Sequence, residues 1–73
     1  MKNKTIIFIV KSMMKEMVTF LDDTQKDLFI RMYHYGKPDY RKPINTLIND
    51  TIDDMDGNKL DHAFTQIENT LKK

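Results

Sequence analysis

The sequence predicts an all-α fold, a compact bundle of about four helices. Three observations carry that prediction. Apolar residues recur with the 3.6-residue period of a helix through most of the chain. The two glycines and two prolines fall between those periodic runs and not inside them. Cap-forming residues, Asp22 and Asn58 among them, stand where runs begin. The expected helices cover residues 4–21, 23–35, 43–55 and 59–71, all in one helical domain, 1–73.

The first helix organises the rest. Ile6, Ile7, Ile9, Val10, Met13, Met14, Met17, Val18, Phe20 and Leu21 cover about half of a helical wheel. Lys11, Ser12, Lys15, Glu16 and Thr19 fill the other half, and only Phe8 falls among them. A surface helix usually carries an apolar stripe a little over ~100° wide, and this one approaches ~180°. Two arrangements account for the width. Either the helix is packed on two sides by its own neighbours, or one edge packs inward and the other meets a second chain. The second arrangement predicts a symmetric homodimer through Ile6, Ile9, Met13, Met17 and Phe20. Methionine, which repacks at low cost, suits both. The β-branched start, Thr5 to Val10, is also compatible with a short strand, but the unbroken period from Val10 to Leu21 favours helix.

The second helix opens on Asp22, which with Gln25 reads as a capping box. Leu28, Phe29, Met32, Tyr33 and Tyr35 share one of its faces, Gly36 suits the position just past its end, and Pro38 lies beyond. Pro43 fits the first position of the third helix, where a missing N–H costs nothing. Ile44, Leu47, Ile48, Ile52 and Met55 form its stripe. Asp53 and Asp54 lie at its C-terminal end, where the helix dipole disfavours anions; either they are simply solvated or they mark a cation or a basic partner. After Gly57, Asn58 is the expected N-cap of the fourth helix, with Asp61 in its first turn. That helix should cross the first and bury Leu60, Ala63, Phe64, Ile67 and Leu71, with Lys72 and Lys73 at its negative end.

A chain of 73 residues buries only about 60% of its unfolded surface and is marginal alone. With no cysteine, disulfides and thiolate metal sites are excluded, which leaves oligomerisation as the expected source of extra stability. Net charge is +1, too little for an overall field that draws in nucleic acid or a membrane. The charge is bipolar, however: Lys2, Lys4, Lys11 and Lys15 lie early, and Asp50, Asp53, Asp54, Asp56, Asp61 and Glu68 lie late. The apolar run after Lys4 reaches only from Ile6 to Val10, short of a secretory core, and no run nears the ~20 residues of a membrane span. A cytoplasmic protein with no membrane contact is therefore expected.

Chemistry-bearing motifs are sparse. With Gly57 at the invariant position of a calcium loop, Ile52 and Ala63 fall where carboxylates are required. His34 and His62 lack zinc spacing, and no nucleophile elbow or glycine-rich phosphate loop exists. No enzyme activity, cofactor or metal is expected. The conspicuous polar feature is the cluster of Arg31, Tyr33, His34, Tyr35, Lys37, Tyr40, Arg41 and Lys42. Arg31, Tyr35, Lys37, Tyr40, Arg41 and Lys42 are the candidate partner-binding residues. Arginine and tyrosine are enriched at protein-binding hot spots, and cations interleaved with aromatics also suit single-stranded nucleic acid. The acidic turn Asp53 to Asp56 offers the same cluster a mate in a second subunit.

Phe29-Ile30-Arg31-Met32-Tyr33, Lys59-Leu60-Asp61-His62-Ala63 and Gln66-Ile67-Glu68-Asn69-Thr70-Leu71 resemble small accessory proteins of large tailed bacteriophages. The resemblance spans roughly the last two thirds of the chain and brings no catalytic residues. It implies a protein of the infected host's cytoplasm that acts by binding one macromolecule. The function expected is a non-enzymatic protein-binding module, a modulator or inhibitor of a host protein. A nucleic-acid-binding accessory protein using 31–42, or a structural homo-oligomer, are the alternatives.

Overall fold

A computed structural model describes residues 3–72; Met1, Lys2 and Lys73, and with them the expected role of Lys73 at a helix end, lie outside the described residues. Its elements are α1 (Lys4–Met17), a single 3₁₀ turn (Val18–Phe20), α2 (Asp23–Tyr33), α3 (Ile44–Asp53) and α4 (Gly57–Leu71). No strand occurs among the described residues, and Thr5 to Val10 is helical. The fold is all-α, as the periodicity predicts. The Cα radius of gyration is 11.6 Å, close to the ~11 Å of a compact chain this long.

α1, α2 and α4 each begin at a side-chain cap. Asn3 Oδ1 accepts from the Thr5 and Ile6 amides at 2.8 and 3.4 Å. The expected capping box is present: Asp22 Oδ1 accepts from the Gln25 amide at 2.8 Å, and Gln25 Oε1 accepts from the Asp22 amide at 3.0 Å. Pro43 is the N-cap of α3, one position earlier than expected, and its carbonyl accepts from the Leu47 amide. Asp56 caps α4 by accepting from the Lys59 amide at 2.8 Å. Asn58 is therefore inside the helix and not its cap, and Asp61 lies beyond the first turn.

Three helix ends differ from expectation. α1 stops at Met17, where Val18, Thr19 and Phe20 tighten into the 3₁₀ turn and the Thr19 hydroxyl donates to the Glu16 carbonyl at 2.6 Å. Leu21 is extended and buried, which turns the chain directly into the Asp22 cap. α2 ends at Tyr33, not Tyr35. His34 is extended, Tyr35 is exposed, and so nothing beyond Tyr33 gains burial to offset poor helix formers. Gly36 has φ +74° as expected of a left-handed residue, but in the loop after α2 and not at its cap. α3 ends at Asp53, and Asp54 is its C-cap.

The core is assembled from Met14, Val18, Leu21, Phe29, Ile30, Tyr33, Leu47, Ile48, Ile52, Met55, Leu60, Ala63 and Ile67. α1 packs on α3 and on α4, and α2 packs on α3. Ile30 is fully buried although the face expected for α2 omits it, while Leu28 and Met32, placed on that face, are exposed. Leu71 is exposed at the C-terminal end of α4. Thr51 is buried with its hydroxyl donating to the Leu47 carbonyl at 2.7 Å, so it costs the core no unpaired polar group. Truncating Ile30 to Ala should cost roughly 2–5 kcal/mol in urea unfolding, whereas Leu28→Ala should cost well under that, since most of its area is already in water.

Candidate interaction surfaces

The apolar width of α1 is divided as the structure folds. Met14 and Val18 are buried, and Ile7, Val10 and Met17 pack against the core. Ile6, Ile9 and Met13 remain 49%, 51% and 47% exposed, and Phe20 beyond them is 77% exposed. Of the five residues expected at an oligomer contact, only Met17 is partly turned inward. Phe8, on the other flank, is 71% exposed. This face is shallow and mostly apolar. Phe8, Ile9, Ser12, Met13 and Glu16 line one hollow on it; Val10 and Met13 with Asp61, Phe64 and Thr65 of α4 line another.

Lysines on the far side of α1 explain the acidic end of α3. Lys11 Nζ donates to the Asp53 carbonyl at 2.6 Å, and Lys15 Nζ lies 2.7 Å from Asp53 Oδ1. The first contact satisfies a terminal carbonyl, and the second neutralises the carboxylate that the dipole disfavours. The cation near Asp53 is thus supplied by the same chain.

The segment 31–42 is brought together less as a cationic patch than as a set of paired charges. Arg31 Nε lies 3.0 Å from Asp27 Oδ2. Arg41 forks onto Asp39, Nε to Oδ1 at 3.0 Å and Nη2 to Oδ2 at 3.2 Å, and its amide donates to Oδ1 at 3.1 Å. The Arg41 guanidinium and then its amide hold the Asp39 carboxyl below its usual range. Lys42 Nζ lies 3.7 Å from Asp50 Oδ2. Tyr35, Lys37 and Tyr40 are exposed in the loop, and Lys37 makes no ion pair among the described residues.

A third surface was not read from the sequence. α2 and α4 are bridged by the Tyr33 hydroxyl, hydrogen-bonded to His62 Nδ1 at 2.5 Å, with the rings 5.8 Å apart. Along the same two helices lies a half-open cleft of about 160 Å³, lined by Leu21, Leu28, Phe29, Met32 and Ile67. Gln25, Gln66 and Thr70 supply its polar lining, and no charged side chain borders it. The signal in the sequence was the pair Leu28 and Met32, four residues apart on a face that Ile30 does not share. His62 is exposed, yet it is engaged.

No group of three or more metal-ligating side chains occurs among the described residues, and no described helix is long and apolar enough to cross a membrane. No protein-family model, curated protein or solved structure matches the chain.

Burial raises the Tyr33 phenol above its ordinary value of 10.0. The fold therefore favours the neutral phenol. Its stabilising contribution is complete below pH 10.0 and is lost as pH rises through the higher folded value. Stability measured from about pH 9 to about pH 11 should fall more steeply in the native chain than in Tyr33→Phe, which has no phenol to ionise. Equal slopes would show that Tyr33 is not the group responsible.

Proposed function

We propose that the protein is a non-enzymatic protein-binding module that uses the outward face of α1. The observation that carries this reading is the exposure of Ile6, Phe8, Ile9 and Met13 together on one helix. At ~200 Å² for a large apolar residue, they leave on the order of 400 Å² of side chain uncovered. A contiguous patch of that size on a small protein is commonly a contact site. The resemblance to bacteriophage accessory proteins adds that the partner belongs to the infected host and that the setting is its cytoplasm; this rests on sequence texture alone.

A nucleic-acid reading keeps one supporting observation, the exposure of Tyr35 and Tyr40 beside Lys37. It is the weaker reading because Arg31, Arg41 and Lys42 are spent on Asp27, Asp39 and Asp50. Salt separates the two, since phosphate contacts weaken steeply as ionic strength rises and an apolar contact does not.

Tagged protein purified from expressing cells at moderate salt should retain a stoichiometric protein, its own untagged copy included, through nuclease treatment. Ile9→Asp should release it with helicity unchanged, because a charge is then buried unpaired only in the complex. Retention by Ile9→Asp would overturn the assignment of the face. Tyr40→Ala with Arg41→Ala should leave thermal stability within ~1 kcal/mol, as for ordinary surface changes. Loss of the partner in that double variant would return the site to segment 31–42.

A further inference from the structure

The cleft between α2 and α4 shares no residue with the exposed face of α1 and has no part in the protein-binding reading. Its two ends are defined. At one end the Tyr33 hydroxyl meets His62. Gln25 stands eight residues back along α2, Thr70 stands eight residues on along α4, and both border the cleft. Were the helices parallel, these two would lie about 24 Å apart along the axis. That is too far for one cleft of about 160 Å³ to border both. The helices therefore run in opposite directions, and Gln25 and Thr70 stand together at the other end.

We propose that this cleft binds a small, free, uncharged phenol. Size sets the first limit. A cavity of about 150 Å³ holds one benzene ring. This cleft, about 160 Å³ and half-open, holds one ring and little more. Its walls suit a ring. Phe29 and Tyr33 lie with centroids 5.0 Å apart and planes tilted by 47°, and an added ring extends such tilted packing. Met32 supplies a thioether, which packs well at an aromatic edge. Leu21, Leu28 and Ile67 supply the remaining apolar surface.

Charge sets the second limit. No charged side chain borders the cleft, so a carboxylate or an ammonium taken into it would lose water without gaining a partner. The polar end sets the third. Gln25 Oε1 is taken by the Asp22 amide, which leaves Gln25 its Nε2 N–H group to donate. The Thr70 hydroxyl donates to the Gln66 carbonyl at 2.9 Å, which leaves its oxygen to accept. One neutral group that both accepts and donates answers this pair, and a hydroxyl is such a group. One ring uses up the volume. The peptide groups that flank a tyrosine of a protein partner would lie beyond the lining, so the fit is to the free molecule.

The probe is p-cresol, titrated into the full chain and followed by proton–nitrogen NMR. The amide shifts should saturate, with a Kd of about 1 mM for a ligand of about eight non-hydrogen atoms left partly in water. They should centre on Leu28, Phe29, Met32, Ile67 and Thr70. Toluene should bind at least threefold more weakly, and benzoate and benzylamine at least tenfold more weakly. Gln25→Glu keeps the capping box but replaces the donor with an acceptor, so it should remove the preference for p-cresol over toluene. Shifts that do not saturate, or that centre on Ile9 and Met13 of α1, would overturn the site. Equal binding of benzoate or benzylamine would overturn the uncharged class, and a preference kept by Gln25→Glu would overturn the hydroxyl anchor. Binding of N-acetyltyrosinamide as tight as that of p-cresol would overturn the free molecule in favour of a partner's side chain.

Discussion

α1 carries more apolar surface than three short neighbours can cover. Its inward seam is filled: Met14 and Val18 are buried, and α3 and α4 close over them. Covering the outward seam as well would need another helix, and α2 is not free to supply it. α2 is held on α3 by Phe29 and Ile30 in the core and by Lys26 Nζ donating to Asn45 Oδ1 at 2.9 Å. The exposure of Ile6, Ile9 and Met13 thus follows from length. A chain of this size buries only about 60% of its unfolded surface, a smaller share than a larger domain does.

The same shortage leaves its mark between α2 and α4. These helices share the core residues Tyr33, Phe29 and Ile67 but do not pack closely along their length, and the 160 Å³ cleft is the space between them. The Tyr33–His62 bond closes the gap where the helices do approach. A buried phenol without a partner would cost about 1–3 kcal/mol, so the histidine at that position has a structural reason to be there. His62 therefore need not be read as a chemical group in search of a substrate.

Electrostatics binds the elements without creating a field. The basic early segment and the acidic late one meet at the surface, as Lys11 and Lys15 on Asp53, and the basic loop is matched by Asp39 and Asp50. Exposed pairs of this kind contribute about 0–1 kcal/mol each. Their larger effect is subtractive. They occupy Arg41 and Lys42, so that Lys37 is the loop cation left without an ion pair among the described residues.

Where local chemistry decides structure, the sequence was readable. The Asp22–Gln25 box, the division of the chain at Gly36 and Pro43, and the stripe through Leu47, Ile48 and Ile52 all depend on neighbours within a turn or two, whereas Gly57, expected between helices, is the first residue of α4. The misreadings needed tertiary knowledge. Tyr35 lies on the same helical face as Leu28 and Met32, yet the core ends at Tyr33, so α2 ends there too. Asp56 and Asn58 are both good caps by type. Asp56 prevails because α3 stops at Asp53, and α3 stops where Lys11 reaches its last carbonyl from α1. The surfaces followed the same division. The exposed edge of α1 was legible because an apolar arc near ~180° exceeds what a single packed face uses. The pairing of Arg41 with Asp39 and the cleft beside Leu28 were not, since each depends on how the chain turns after a helix has ended. Excess apolar periodicity is thus a surface signal that needs no fold to interpret, and in this chain it lies on α1.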